Sequence, residues 1–295
     1  MIIDSTQYNG KCACGREHKM ETILSVVACG CLHEFERSLS TAEIHGVRTA
    51  VYDENTYRAT ADRHPRADHE IVLPSEDLHA NEHGVNLLLE KLPTDTQVLI
   101  AVGSGTVHDI VRYCAYQKGM TFISCPTAAS VDGFCSSVAA MTWHGCKKTL
   151  TAVAPKIVIA DIDIIKNAPI RLARSGFGDM IGKYVALTDW KISSHLTGEF
   201  YCKRIADMTA DATAQVLESA SGIVAGDEAA YRDAASAFQL AFAEKLPFIP
   251  LYFRLNSIVY SADIKGMTDV REPDIMRSVD KWYMFTGSEH HTTGH

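Results

Sequence analysis

A glycine turn set between an apolar run and a helical run constrains this chain most. Gly103-Ser104-Gly105-Thr106-Val107-His108-Asp109 follows Gln97-Val98-Leu99-Ile100-Ala101-Val102 and precedes Ile110-Val111-Arg112-Tyr113. The first run has the length and composition of a buried strand, and the last the start of a helix. Glycines between them let the backbone approach an anion, and the free N–H groups of the first helical turn point at it. The spacing is not G-x-G-x-x-G, so two readings stand: a phosphate cradle, or a tight strand-to-helix turn that uses glycine for geometry.

The runs on either side repeat this pattern. Ile23–Ala28, Arg48–Asp53, Thr121–Ser124 and Lys156–Asp161 read as strands. Leu32–Leu39, Gly84–Leu92 and Asp109–Lys118 read as helices; in the second, Val85, Leu88, Leu89 and Leu92 share one face. Strands separated by helices predict an α/β fold, with a parallel sheet covered on both faces over residues 1–165. Ligands of such sheets bind at the carboxyl ends of the strands, where Asp53 and the glycine turn fall. Beyond residue 166 strand signals fade, and Leu172–Leu187 and Tyr201–Leu217 carry helical spacing. A second, mainly helical domain over 166–295 is expected, with a cleft between the two. The helical pattern is disrupted after about residue 233: Pro247 and Pro250 interrupt an aromatic stretch from Glu244 to Arg254.

Composition excludes several classes of partner. The 295 residues carry a net charge of −8 and no long basic run, which argues against nucleic acid. No apolar stretch reaches membrane-spanning length, so no membrane insertion is expected. The first residues, Met1-Ile2-Ile3-Asp4-Ser5, lack the basic and apolar regions of a secretory signal, and a cytoplasmic location is expected. The nine cysteines are then reduced thiols. Cys12 and Cys14, with His18 nearby, and Cys29 and Cys31 are each separated by one residue, where zinc sites use two to four. Adjacent glycines favour plain turns there.

Four segments carry candidate chemistry. Asp53 ends its strand, where a carboxylate accepts hydrogen bonds from a ribose and repels a 2′-phosphate; a helix N-cap is the alternative. Pro126–Phe134 holds Thr127, Ser130 and Asp132, small polar groups able to contact a cofactor or a substrate hydroxyl, or to close Asx and Ser/Thr turns. Ser175–Tyr184 places Asp179 on the first turn of a helix, facing the cleft or capping free N–H groups, and its glycines predict close approach of backbone or ligand. His290, His291 and His295 lie near the carboxyl end of the sequence; a His pair with a distant Asp could bind a divalent metal, and a disordered tail is the alternative.

Together these motifs resemble the iron-containing alcohol dehydrogenase and dehydroquinate synthase-like superfamily, and within it the sn-glycerol-1-phosphate dehydrogenases. The resemblance rests on Cys12–His18, Gly103–Asp109, Pro126–Ser137, Gly176–Trp190 and Gly287–His291, and covers residues 1 to about 232. It implies a nucleotide-binding α/β domain followed by a helical one. It implies reversible, NAD- or NADP-linked reduction of dihydroxyacetone phosphate, a small phosphorylated substrate, with a possible homodimer. By analogy Asp53, Gly103, Ser104, Gly105, Thr106, Val107, Thr127, Ser130 and Ser136 would contact the cofactor. Asp132, Asp179 and His295 would contact substrate. Asp179 and His290 would bind Zn2+ or Ni2+, and the metal would act as a Lewis acid on the C2 oxygen.

Three features depart from the family pattern. His108 stands where the family tends to have Asn. A third metal-binding His is expected beyond Glu289-His290-His291, and the sequence ends before it. Gly294 occupies the place of the substrate-contacting His, with His295 one step on. Residues from about 234 to 285 instead resemble the C-terminal part of a peptide-type solute-binding protein, through Leu246–Arg254 and Lys281-Trp282-Tyr283. A chimera that binds nucleotide but turns over poorly is one alternative function, and a polyol (glycerol) dehydrogenase of the same superfamily another. Lys147, Lys148, Arg174 and Lys183 are candidate partners for a substrate phosphate, or solvated surface charges.

Overall fold

The computed structural model describes residues 2–218 and 220, together with a two-residue ladder of Ile264–Lys265 against Tyr283–Met284. His290, His295 and nearly all of 234–285 lie outside the described residues.

Eleven strands and seven α-helices make up residues 2–218. The strands are β1 (Ile2–Asp4), β2 (Gly10–Lys11), β3 (Glu17–His18), β4 (Leu24–Ala28), β5 (Arg48–Asp53), β6 (His69–Leu73), β7 (Val98–Gly103), β8 (Thr121–Pro126), β9 (Val138–Trp143), β10 (Cys146–Thr151) and β11 (Ile157–Asp161). The helices are α1 (Phe35–Thr41), α2 (Glu54–Ala59), α3 (Glu82–Lys91), α4 (Gly105–Lys118), α5 (Ile162–Ile165), α6 (Ile170–Thr197) and α7 (Lys203–Glu218).

Seven strands form one sheet in the order β1-β4-β11-β8-β7-β5-β6, parallel throughout except for β1. Alternate side chains of one strand enter opposite layers. Val98, Ile100 and Val102 pack with Phe35 and Leu39 of α1, while Leu99 and Ala101 pack with Val107, Ile110 and Val111 of α4 and Leu88 of α3. Burial on both faces explains why these strands read as continuous apolar runs. The carboxyl ends of β5, β7, β8 and β11 carry Asp53, Gly103, Pro126 and Asp161 along one edge of the sheet.

Among the elements that escape the sequence reading, β6 and one hairpin matter most to the sheet and its cover. β6 is a five-residue strand at the sheet edge. β9 and β10 form a hairpin whose turn, His144-Gly145, takes positive φ at both residues (52° and 74°), as a type I′ turn requires. Its inward Ala139 and Met141 are buried against α4, whereas Lys147 and Lys148 are exposed. Two of the boundaries that move bear on the site. α4 begins at Gly105 rather than Asp109, because Ser104 follows the strand directly as N-cap. α6 begins at Ile170, so Asp179 lies in the helix interior and not on a first turn. The glycines that mimic a helix start are internal: a Cβ on Gly176 would lie 2.1 Å from the Ala129 carbonyl oxygen. Close backbone approach is what keeps glycine there.

Candidate active site

The glycine turn is shaped by packing and left open at its helix end. A Cβ on Gly103 would meet Val107 Cβ at 2.6 Å, so glycine lets α4 fold back on the strand tip. Ser104 is the N-cap, and its side chain makes no capping hydrogen bond. The first-turn N–H groups of α4 are therefore not taken up by a side chain. Gly105 packs against Val131, whose Cγ1 would lie 3.3 Å from an added Cβ, which brings the 126–132 segment over the turn.

His108 fastens this turn from beneath. It is buried; Nδ1 lies 3.0 Å from the Ser104 carbonyl oxygen and Nε2 2.8 Å from Ser124 Oγ. A carbonyl only accepts, so Nδ1 carries the proton and Nε2 accepts from the serine. Burial, helped by the Arg112 charge, pulls the imidazole pKa down to about 3. The ring is neutral and structural where the family pattern has Asn. Arg112, fully buried, donates to the carbonyls of Gly133, Phe134 and Val138 at 2.8–3.2 Å and so ties the loop after Asp132 to α4. The sequence reading missed this residue. The signal was an Asp109–Arg112 pair at helical spacing, and the two charges lie 3.9 Å apart.

A cavity of about 740 Å³ opens along the carboxyl edge of the sheet. Asp53, Thr56, Ser104, Thr106, Thr127 and Ala128 line one side. Ile164, Ala168, Arg171 and Leu172, around the start of α6, line the other. Asp53 is the N-cap of α2, its Oδ1 accepting from the N–H groups of Asn55 and Thr56, both at 2.8 Å. Its second oxygen has no protein donor among the described residues. Asp53 is thus a helix N-cap, as one sequence reading has it, and also lines the cavity. Thr127 N–H donates to the Gly103 carbonyl at 3.0 Å, locking the two loop ends together. Ser130 Oγ is buried without a hydrogen-bond partner among the described residues, and Ser130 does not line the cavity. Ser136 Oγ accepts from Val138 N–H at 3.1 Å, the Ser/Thr turn alternative, and does not line the cavity.

Asp132, Asp179 and Lys183 form a second group at the far end of the 127–132 segment. Asp132 N–H donates to Asp179 Oδ2 at 2.9 Å, and Lys183 Nζ lies 2.5 Å from Asp132 Oδ2. Burial raises the Asp132 pKa to about 6; Lys183 opposes the rise and Asp179 adds to it. Lys183 is thus a paired charge and not a solvated one. None of the three lines the cavity, so the structure brings Asp53 and the glycine turn together while Asp179 sits beyond them. Among the described residues no set of three metal-ligating side chains gathers around Asp179. Its histidine partners of the sequence reading lie outside those residues.

The chain resembles known proteins through the same region. Residues 26–169 match the family model of iron-containing alcohol dehydrogenase. A glycerol-1-phosphate dehydrogenase [NAD(P)+] of Bacillus licheniformis is 38% identical over 226 residues, 73% of this chain and 56% of that one. Its Bacillus subtilis counterpart is 41% identical over 192 residues, 62% of this chain and 49% of that one. The chain thus spans about half the length of these relatives. Among solved structures, glycerol dehydrogenase from Schizosaccharomyces pombe superposes with a TM-score of 0.59 at 22% identity, over 76% of this chain and 60% of that one. Sulfoacetaldehyde reductase from Bifidobacterium kashiwanohense in complex with NAD+ gives 0.58 at 13% identity, over 78% and 67%. At such identities the likeness is one of fold. Residues 26–169 thus match the iron-containing alcohol dehydrogenase family, and the similarity to the curated relatives extends beyond that stretch.

Proposed function

We propose that this chain is an NAD(P)-dependent sn-glycerol-1-phosphate dehydrogenase that reduces dihydroxyacetone phosphate reversibly to sn-glycerol 1-phosphate. The observation that carries the reading is the cavity in which Asp53 and the side-chain-uncapped first turn of α4 share one wall. The names of the relatives at 38–41% identity support the substrate.

The residues divide by task. Gly103, Ser104, Gly105, Thr106 and Val107 let the pyrophosphate of a dinucleotide approach the backbone, where first-turn N–H groups and the helix dipole meet its charge. Asp53 offers its second oxygen to the ribose hydroxyls. Thr127, Ser130 and Ser136 stand as further cofactor contacts, Thr127, which lines the cavity, as the best supported. NAD or NADP, once bound, supplies the hydride. Asp132 orients a substrate hydroxyl, and Lys183 beside it brings positive charge for a phosphate or a developing alkoxide. A divalent ion, Zn2+ or Ni2+, on Asp179 and His290 would add Lewis-acid charge at the C2 oxygen. His295 stands as a further substrate contact. Residues 1–165 form the dinucleotide part and 166–295 the metal and substrate part of this reading, with a homodimer as a candidate assembly. A cytoplasmic location, where cysteines stay reduced, belongs to the same reading. Among the described residues no helix is long and apolar enough to cross a membrane.

The test is NADH oxidation with dihydroxyacetone phosphate or unphosphorylated dihydroxyacetone, with and without added Zn2+ or Ni2+. The proposal expects metal-dependent turnover that needs the phosphate. Preference for the unphosphorylated ketone would identify a polyol dehydrogenase instead. NADH binding without turnover would identify an impaired nucleotide binder.

A further inference from the structure

Away from the cavity, four side chains of metal-ligating type converge from opposite ends of the described chain. β2 and β3 pair as a small hairpin in the register Gly10↔His18 and Lys11↔Glu17. Its turn is closed by Gly15 at φ 85°, with Gly15 N–H on the Cys12 carbonyl at 3.0 Å and Cys12 N–H on the Arg16 carbonyl at 2.9 Å. This turn sets Cys12, Cys14 and His18 side by side. Cys202 arrives from the residue before α7, its carbonyl already bonded by Ala206 N–H at 3.0 Å. The ligand atoms of Cys12, Cys14, His18 and Cys202 all lie within 4.8 Å of one another. None of the four lines the cavity.

The spacings are those of a coordination sphere. Cys12 Sγ and Cys202 Sγ are 3.8 Å apart. His18 Nε2 lies 3.4 Å from Cys14 Sγ and 3.6 Å from Cys202 Sγ. Zinc bound at about 2.3 Å to sulfur and about 2.0–2.1 Å to nitrogen would set tetrahedral ligands about 3.8 Å apart for S–S and about 3.5 Å for S–N. Thiols are weak hydrogen-bonding groups, so mutual hydrogen bonding gives little reason for three of them to gather round one imidazole.

The surroundings are built to close the cluster off. Cys202 is fully buried, and Trp190, Phe200, Tyr201 and Ile205 pack around it with Cys12 and Cys14. The Arg16 guanidinium stacks 3.6 Å above the Phe200 ring, and Trp190 Nε1 donates to the Phe200 carbonyl at 2.6 Å. Four protein ligands leave no open position for substrate, the mark of a structural site.

We propose that Cys12, Cys14, His18 and Cys202 form a closed tetrahedral site for a thiophilic divalent cation, zinc foremost, that fastens the N-terminal hairpin to the entrance of α7. The three thiols release their protons to solvent on binding, and no group changes oxidation state. The site is separate from the dehydrogenase reading and stands or falls without it.

The experiment uses the full-length chain, purified reduced and without a histidine tag, and titrated with Co2+. Metal counting alone would not separate this site from an ion on Asp179, but three thiolates give intense thiolate-to-cobalt charge transfer and strong tetrahedral visible bands. The expected result is that signature at one Co2+ per chain, displaced by Zn2+. Cys14→Ser should weaken binding by at least roughly tenfold, and His18→Cys, which keeps four ligands, should retain it. Absence of the thiolate–cobalt signature in folded wild-type protein would overturn the proposal. So would a Cys12–Cys202 disulfide in protein alkylated at lysis and examined by mass spectrometry.

Discussion

The backbone N–H of Asp132 donates to the carboxylate of Asp179 at 2.9 Å, across 47 residues of sequence. This bond joins the loop that leaves β8 to the middle of α6. It exists because Gly176, one turn before Asp179, lets the helix backbone lie against the Ala129 carbonyl. The carboxylate pair and the cavity wall are thereby held by one contact between a helix and a loop.

Gly176→Ala should break that arrangement. The added Cβ would sit 2.1 Å from a backbone oxygen, so α6 or the loop must move. A loss of about 1–3 kcal/mol in stability is expected, together with a large fall in turnover. Urea unfolding and steady-state kinetics measure the two. Unchanged values in both would show that the close approach does not hold the site.

Asp132 should set an acid limit on turnover. Its carboxyl is raised to about 6 by burial, against the pull of Lys183. Activity should fall as pH drops through that value, because protonation removes the charge that faces Lys183. Lys183→Met deletes the opposing influence and should move the limb to higher pH. Asp132→Asn should abolish the limb along with most of the activity. A pH–rate profile identical in wild type and Lys183→Met would remove the pair from the mechanism.

His108 should make the protein acid-sensitive. Its folded pKa of about 3 lies below the ordinary 6.5. Between these values the unfolded chain binds a proton that the folded chain refuses, so stability is lost as pH falls, by up to about 1.4 kcal/mol per pH unit. Asp109 and Asp132, both raised to about 6 by burial, act in the opposite sense between about pH 4 and 6. They are common to wild type and His108→Asn, so the difference between the two proteins isolates the histidine. That difference should shift in favour of the Asn variant as pH is lowered, as read from urea midpoints.

Arg112→Met should cost several kcal/mol. It leaves the buried carbonyl of Phe134 and the part-buried carbonyls of Gly133 and Val138 without the donor that holds them. The loop that carries Asp132 loosens, so KM for the substrate should rise in whatever folded protein remains.

Much of the sheet was legible because its strands are buried on both faces and read as unbroken apolar runs. Arg48–Asp53 has the same limits in sequence and structure. The β9–β10 hairpin was not legible, since its outer face is polar and its inner face uses Ala139 and Met141, which mark a strand weakly. Asp179 was singled out but set on the wrong turn, because glycines that serve a helix–loop contact look like those that precede a helix. Arg112 stayed hidden because its partners are backbone carbonyls, which no sequence displays. The cysteine cluster was read as turns because its fourth ligand lies 190 residues from Cys12, a distance only the fold can close.

The central claim, that a dinucleotide lies across the tips of β5 and β7 against the first turn of α4, is tested most directly by NADH fluorescence titration of the full-length chain and its Thr106→Trp variant. Thr106 lines the cavity, and an indole there fills the place assigned to the pyrophosphate. Saturable binding by wild type and its loss in the folded variant is the predicted result. Equal binding by both proteins, or none by wild type, would contradict it.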